Sequence, residues 1–225
     1  GITSIAIGSS AGKTSQGLTQ HTPSLYEGNS IAIGTGAGEI DQESLSTAIG
    51  WNAGNSNQHA YSVAIGVDAG KIDQNDSSVA IGYNAGFSNQ GLQSVALGVE
   101  AGKTEQGQSS VAIGDSAGAS YQGRHSVSLG RRAGKTSQAN YAVSIGNEAG
   151  LVEQGNAAIA IGYRAGKTSQ HSNTIVLYSN SLTTGLGAAL NTTQEDSFYV
   201  KPIREFASAN ALAYNATTGE ITYRE

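Results

Sequence analysis

The sequence predicts an all-β chain: a parallel β-roll, or solenoid, built from 16-residue coils and followed by a small β-hairpin neck. Two observations predict it. A five-residue word, SVAIG or a close variant, begins at Ser30, Ser46, Ser62, Ser78, Ser94, Ser110, Ser126, Ala142 and Ala158, always 16 residues apart. Each word carries an apolar pair two residues apart, such as Val63 and Ile65, flanked by turn residues, which marks a short strand rather than a helix. A unit of this length is also too short for the common helical repeats.

A first copy of the word starts at Ser4, 26 positions ahead of the next, so residues 20–29 read as a ten-residue insertion looping outside the stack. The full unit is S-V-A-I-G-x-x-A-G-x-x-x-Q-x-x-x. Its Ala-Gly pair recurs from Ala11-Gly12 to Ala165-Gly166, and its glutamine from Gln16 to Gln170. Stacked coils repeat about every 4.8 Å, which makes a rod on the order of 50 Å long. The expected orientation points Val63 and Ile65 into the roll beside Ala69, with Ser62, Ala64 and Gly66 facing the other way. Gly66 and Gly70 are expected at turns or close approaches where a Cβ is unwelcome. The glutamine row, including Gln58, Gln74, Gln90, Gln106 and Gln122, reads as a ladder of stacked amides along the rod. A row of amides binding glycan hydroxyls is the competing reading.

One thin coil buries little apolar surface, so further burial is expected from other chains. The band of small side chains at Ala64, Ala80, Ala96 and Ala112 is the expected axis of a parallel homotrimer. The alternative leaves a flat face to solvent and admits ice or mineral binding. After the last coil-like strand, Thr174 to Tyr178, the periodicity breaks, which divides the chain into a roll at 1–178, a linker at 179–196 and a neck or cap at 197–225. Within the neck, Ala211 to Tyr214 is expected to pair with Glu220 to Tyr223 around Thr217-Thr218-Gly219.

Composition narrows the function. Gly reaches 31 residues while Pro is 2 and Cys and Met are absent, which fits neither a disordered tail nor a disulfide-stapled module. A net charge of -5 with scattered Lys and Arg gives no footprint for nucleic acid, and no long apolar run predicts membrane insertion. Gly1 already lies inside the repeating pattern, so the chain reads as an internal or processed piece. His21, His59, His125 and His171 show no metal-ligand spacing and no nucleophile partner, so neither catalysis, a cofactor nor a metal is expected. Asp73 and Asp76 lie beside Gly-rich turns, but the Asp-dense nonapeptide of calcium rolls is missing. The alternating lysines Lys71, Lys103, Lys135 and Lys167 read as charge spacing on a solvated edge. Trp51, Tyr83 and Tyr163 share the position after the SVAIG glycine and, with Tyr26 in the insertion, form the expected ligand-binding set. Their rings would stack on cell-surface glycan or pack on a neighbouring chain.

The repeated SVAIGxxA word resembles the head domains of trimeric autotransporter adhesins, which implies a left-handed parallel β-roll associating as a trimer. The present period is longer than theirs and adds the Ala-Gly and Gln positions. Residues 197–223, SFYVKPIREFASANALAYNATTGEITY, are similar to a segment of virion fibre and tail-spike proteins of phages and large DNA viruses. There the segment precedes an endosialidase-type intramolecular chaperone. Together the resemblances imply a trimeric fibre on a virion surface that attaches to a host receptor or glycan. An extracellular bacterial adhesin head, and a passive or ice-binding solenoid, are the alternatives.

Overall fold

A computed structural model describes residues 3–18, 28–178, 189–201, 212–214 and 221–223 of the chain. Every regular element among them is a β-strand, and the architecture is a β-solenoid of stacked 16-residue coils. Each coil contributes one strand to each of two parallel sheets. The ten SVAIG words, with Ile175–Tyr178 and Phe198–Lys201, form a 12-stranded wall, and the segments ending in the recurring glutamine form a 9-stranded wall. Register follows the period without slip: Val79 lies between Val63 and Val95, and Gln74 between Gln58 and Gln90. Across the insertion the wall remains continuous, because Ile5–Ile7 pairs with Ile31–Ile33. Of the insertion, residues 20–27 lie outside the described residues.

The orientation of the SVAIG strand is the reverse of the expected one. Ala64, Ala80, Ala96 and Ala112 are fully buried inside the coil, as are Ser62, Ser78, Ser94 and Ser110, while Val63 and Ile65 lie half-buried on the outer face. The reason is the width of the interior. Gln74 spans it, donating from Nε2 to the carbonyl of Val63 on the opposite wall at 2.8 Å, and the same bond recurs from Gln90 to Val79 and from Gln106 to Val95. A Cβ added to Gly86 would stand 3.2 Å from the Cβ of Ala80, so that gap has no room for a branched side chain. Branched residues inside would force the walls apart and strip those carbonyls of their donors. The four alanines therefore cannot line an axis shared between chains. From Ala32 to Ala117 the core is alanine and serine with glutamine as its largest side chains, and at the C-terminal end of the roll Val176 and Tyr178 join it.

Two turns close each coil. In the first, Gly82 O accepts the amide of Ala85 at 3.3 Å, and Asn84 sits at φ 54, in the left-handed region. Short polar residues such as Asn52, Asp68 and Asn84 suit that conformation. In the second, the buried serine of the word turns back: Ser78 Oγ donates to Asn75 O at 2.6 Å and Ser94 Oγ to Gly91 O at 2.7 Å. The serine of SVAIG is thus a turn cap, which explains its place inside.

The roll also runs further than its periodicity. Phe198–Lys201 pairs in parallel with Ile175–Tyr178, and Leu190 bridges to Ala165, so residues 189–201 continue the stack instead of forming a linker and a separate neck strand. The expected hairpin is present as Leu212–Tyr214 against Ile221–Tyr223, antiparallel. Its turn, Thr217 to Gly219, lies outside the described residues.

Candidate functional site

Three surfaces of the rod carry chemistry. The first is the turn edge after the SVAIG glycine. There Trp51, Val67, Tyr83 and Val99 occupy four successive coils and are 55%, 37%, 52% and 49% exposed, an apolar stripe with aromatic rings at alternate steps. The backbone holds the stripe rigid: Asp68 N donates to Trp51 O at 2.8 Å and Glu100 N to Tyr83 O at 2.8 Å. At two coils, Trp51 and Tyr83 stand about 10 Å apart. Tyr163 belongs to the same column but not to the stripe. It is five coils beyond Tyr83, half-buried, with the Arg164 guanidinium 5.0 Å from its ring centre. Tyr26 lies outside the described residues.

The second surface is the outer face of the SVAIG wall. Two rows of Val, Ile and Leu run along it in register, with Leu97 and Leu129 each 41% exposed. Phe198 and Val200 extend the rows past Ile175 and Leu177. Its area is on the order of 500 Å², larger than scattered surface apolar residues produce.

The third is the opposite turn edge, which carries groups that the spacing rules did not assemble. Tyr61 and Tyr141 share the position ahead of the buried serine or alanine of the word, and both are exposed. The Tyr141 ring stacks on His125 with centres 5.3 Å apart. On the same edge, side-chain ligand atoms of Glu43, His59 and Asp76 all fall within 4.8 Å of one another. Their separations of 16 and 17 residues, one coil each, were the signal available in the sequence.

The glutamine row is interior, so its amides are not offered to a glycan. Direct amide-to-amide bonds run Gln42 to Gln58 to Gln74 at 3.1 and 3.2 Å, and again Gln138 to Gln154 to Gln170 at 3.0 and 3.1 Å. All of these amides also donate to the facing carbonyl, and between the runs Gln90, Gln106 and Gln122 do so without an amide-to-amide bond. The lysines of the first turn pair with acids: Lys71 with Asp68 at 2.9 Å and Lys103 with Glu100 at 2.8 Å. Glu148 gathers Arg164 at 2.9 Å, Lys167 at 3.1 Å and Arg132 at 3.6 Å. Burial pushes its carboxyl up, but the hydrogen bonds and charges of Lys167 and Arg164 outweigh that and hold it below the ordinary range.

No protein-family model, no curated protein and no solved structure matches the chain.

Proposed function

We propose that the chain is a segment of a surface-displayed fibre, without catalytic activity, that assembles as a parallel homotrimer through the outer face of the SVAIG wall. The observation carrying this is the apolar face itself: two rows of Val, Ile and Leu, interrupted only by Thr47 among the SVAIG strands, on a repetitive scaffold. A face of this kind marks an association surface, and a rod whose coils are alike presents the same surface along its whole length. Self-association buries it in register. The number three comes from the resemblance of the repeat word to trimeric adhesin heads, and display on a virion from the resemblance of residues 197–223 to viral fibres.

Light scattering on the purified chain tests the assembly. The expected mass is that of three chains, with Leu97→Lys plus Leu129→Lys giving a folded monomer of unchanged circular dichroism. A wild-type monomer at micromolar concentration overturns the reading, and thermal hysteresis would then test the flat face for ice binding. Host attachment adds the stripe of Trp51 and Tyr83, whose exposed rings on a rigid edge suit stacking on sugar rings. A glycan array comparing wild type with Trp51→Ala and with residues 20–29 deleted tests it. The expected result is a glycan signal lost in Trp51→Ala, and its absence from a verified trimer leaves a passive shaft.

A further inference from the structure

We propose that Glu43, His59 and Asp76 form a binding site for one divalent transition-metal ion of the Zn²⁺ class, tying three successive coils together. Glu43 and His59 directly follow Gln42 and Gln58, so they hold the same repeat position one coil apart, and Asp76 follows one residue later in the next coil. In later coils the position of Glu43 and His59 is held by Asn75, Gly91, Gly107, Gly123, Ala139, Gly155 and His171, so only Glu43 and His59 place donors there in adjacent coils.

The geometry suits a small ion. Glu43 Oε1 and His59 Nδ1 are 3.4 Å apart, the edge of a tetrahedron around an ion bound at about 2.0–2.2 Å. Glu43 is buried, and its other oxygen accepts the Ala60 amide at 3.1 Å, which fixes the carboxylate and leaves Oε1 turned to the imidazole. The backbone at each donor is held by the roll. His59 N donates to Gln74 O at 2.9 Å, and Asp76 O accepts the Gln93 amide at 3.0 Å. All three donor atoms lie within 4.8 Å of one another, so the exposed Asp76 side chain has to close by at most about 1.4 Å. Two carboxylates and a neutral imidazole carry a charge of about -2, which one divalent cation cancels. One nitrogen and two oxygens, with water completing the shell, select Zn²⁺ or Mn²⁺ over Ca²⁺ and Mg²⁺, which favour oxygen alone.

The test titrates ZnCl₂ by calorimetry into the untagged full chain after chelator treatment, and follows melting with and without the ion. Expected are one Zn²⁺ per chain, a raised melting temperature, and binding of Ca²⁺ and Mg²⁺ at least tenfold weaker. Asp76→Asn and His59→Gln should each weaken Zn²⁺ binding at least tenfold. Asp76 is exposed, so Asp76→Asn should melt like the metal-free wild type and decides the matter by itself if His59→Gln fails to fold. No saturable Zn²⁺ uptake overturns the proposal. So does uptake undiminished in Asp76→Asn, which would put the ion on other histidines.

Discussion

Gln90 is fully buried with an Oε1 that lacks a hydrogen-bond partner among the described residues, whereas the equally buried Gln74 has its polar atoms occupied. Gln74 Nε2 reaches Val63 O, and Gln74 Oε1 accepts from Gln58. Where the word reads SVSLG or AVSIG its central alanine becomes Ser128 or Ser144, and these hydroxyls donate to Gln138 Oε1 at 2.8 Å and Gln154 Oε1 at 2.6 Å. The variation is therefore polar matching inside the core. Two glycine columns share this crowding but not its severity. At Gly82, φ is +128 and a Cβ would lie 2.6 Å from the Gly98 carbonyl oxygen, whereas at Gly86, φ +52, the nearest obstacle is the movable amide of Gln90 at 2.7 Å. Gly82→Ala should cost about 3 kcal/mol or more and Gly86→Ala about 1–2. Urea unfolding of the two variants checks this, and equal losses would mean that backbone stacking does not set the glycine requirement.

At the scale of the element, the strands are only three residues long and the turns do the shaping. Each turn places residues in the left-handed region, and not all of them suit it. Ala157 is exposed at φ 51, at the position where Asn29 and Asn173 stand in other coils. Ala157→Gly should raise stability by about 1 kcal/mol, seen as a higher urea midpoint. The turns also carry the ion pairs, of which the Glu148 cluster is the most enclosed. A carboxyl whose folded pKa lies below its unfolded value of about 4.3 stabilises fully above that value and loses the contribution as pH falls through the folded pKa. Glu148→Gln should therefore melt below wild type at pH 7, by about 1 kcal/mol given partial solvent screening, and the two should converge as the medium is acidified past the carboxylate range. A gap independent of pH would assign the loss to packing.

For the whole molecule, identical register from coil to coil makes stability a sum over neighbours. Removing residues 79–94 joins Ser78 to Val95 and preserves every downstream pairing. That deletion should fold, with unchanged circular dichroism and a rod shorter by about 5 Å in solution scattering. Removing only residues 79–86 puts the two walls out of step and should abolish cooperative unfolding. Were both deletions equally tolerated, the coil would not be the folding unit.

The sequence by itself determined the period and the parallel, in-register stacking of the SVAIG strands, because a strict repeat at 16 leaves like residues only one way to stack, while the second wall and the interruption of the amide ladder at Gln90, Gln106 and Gln122 came with the structure. Within a strand its period of two separated Ser62 and Ala64 from Val63 and Ile65, but could not say which pair turns inward. Only the tertiary structure decided that, through the distance the glutamine spans to the opposite wall. The same limit applied to the termini and the sites. Phe198–Lys201 joins the roll through a pairing 23 residues long, outside the period. Glu43, His59 and Asp76 are separated by whole coils, so their donor atoms meet only once the chain is wound.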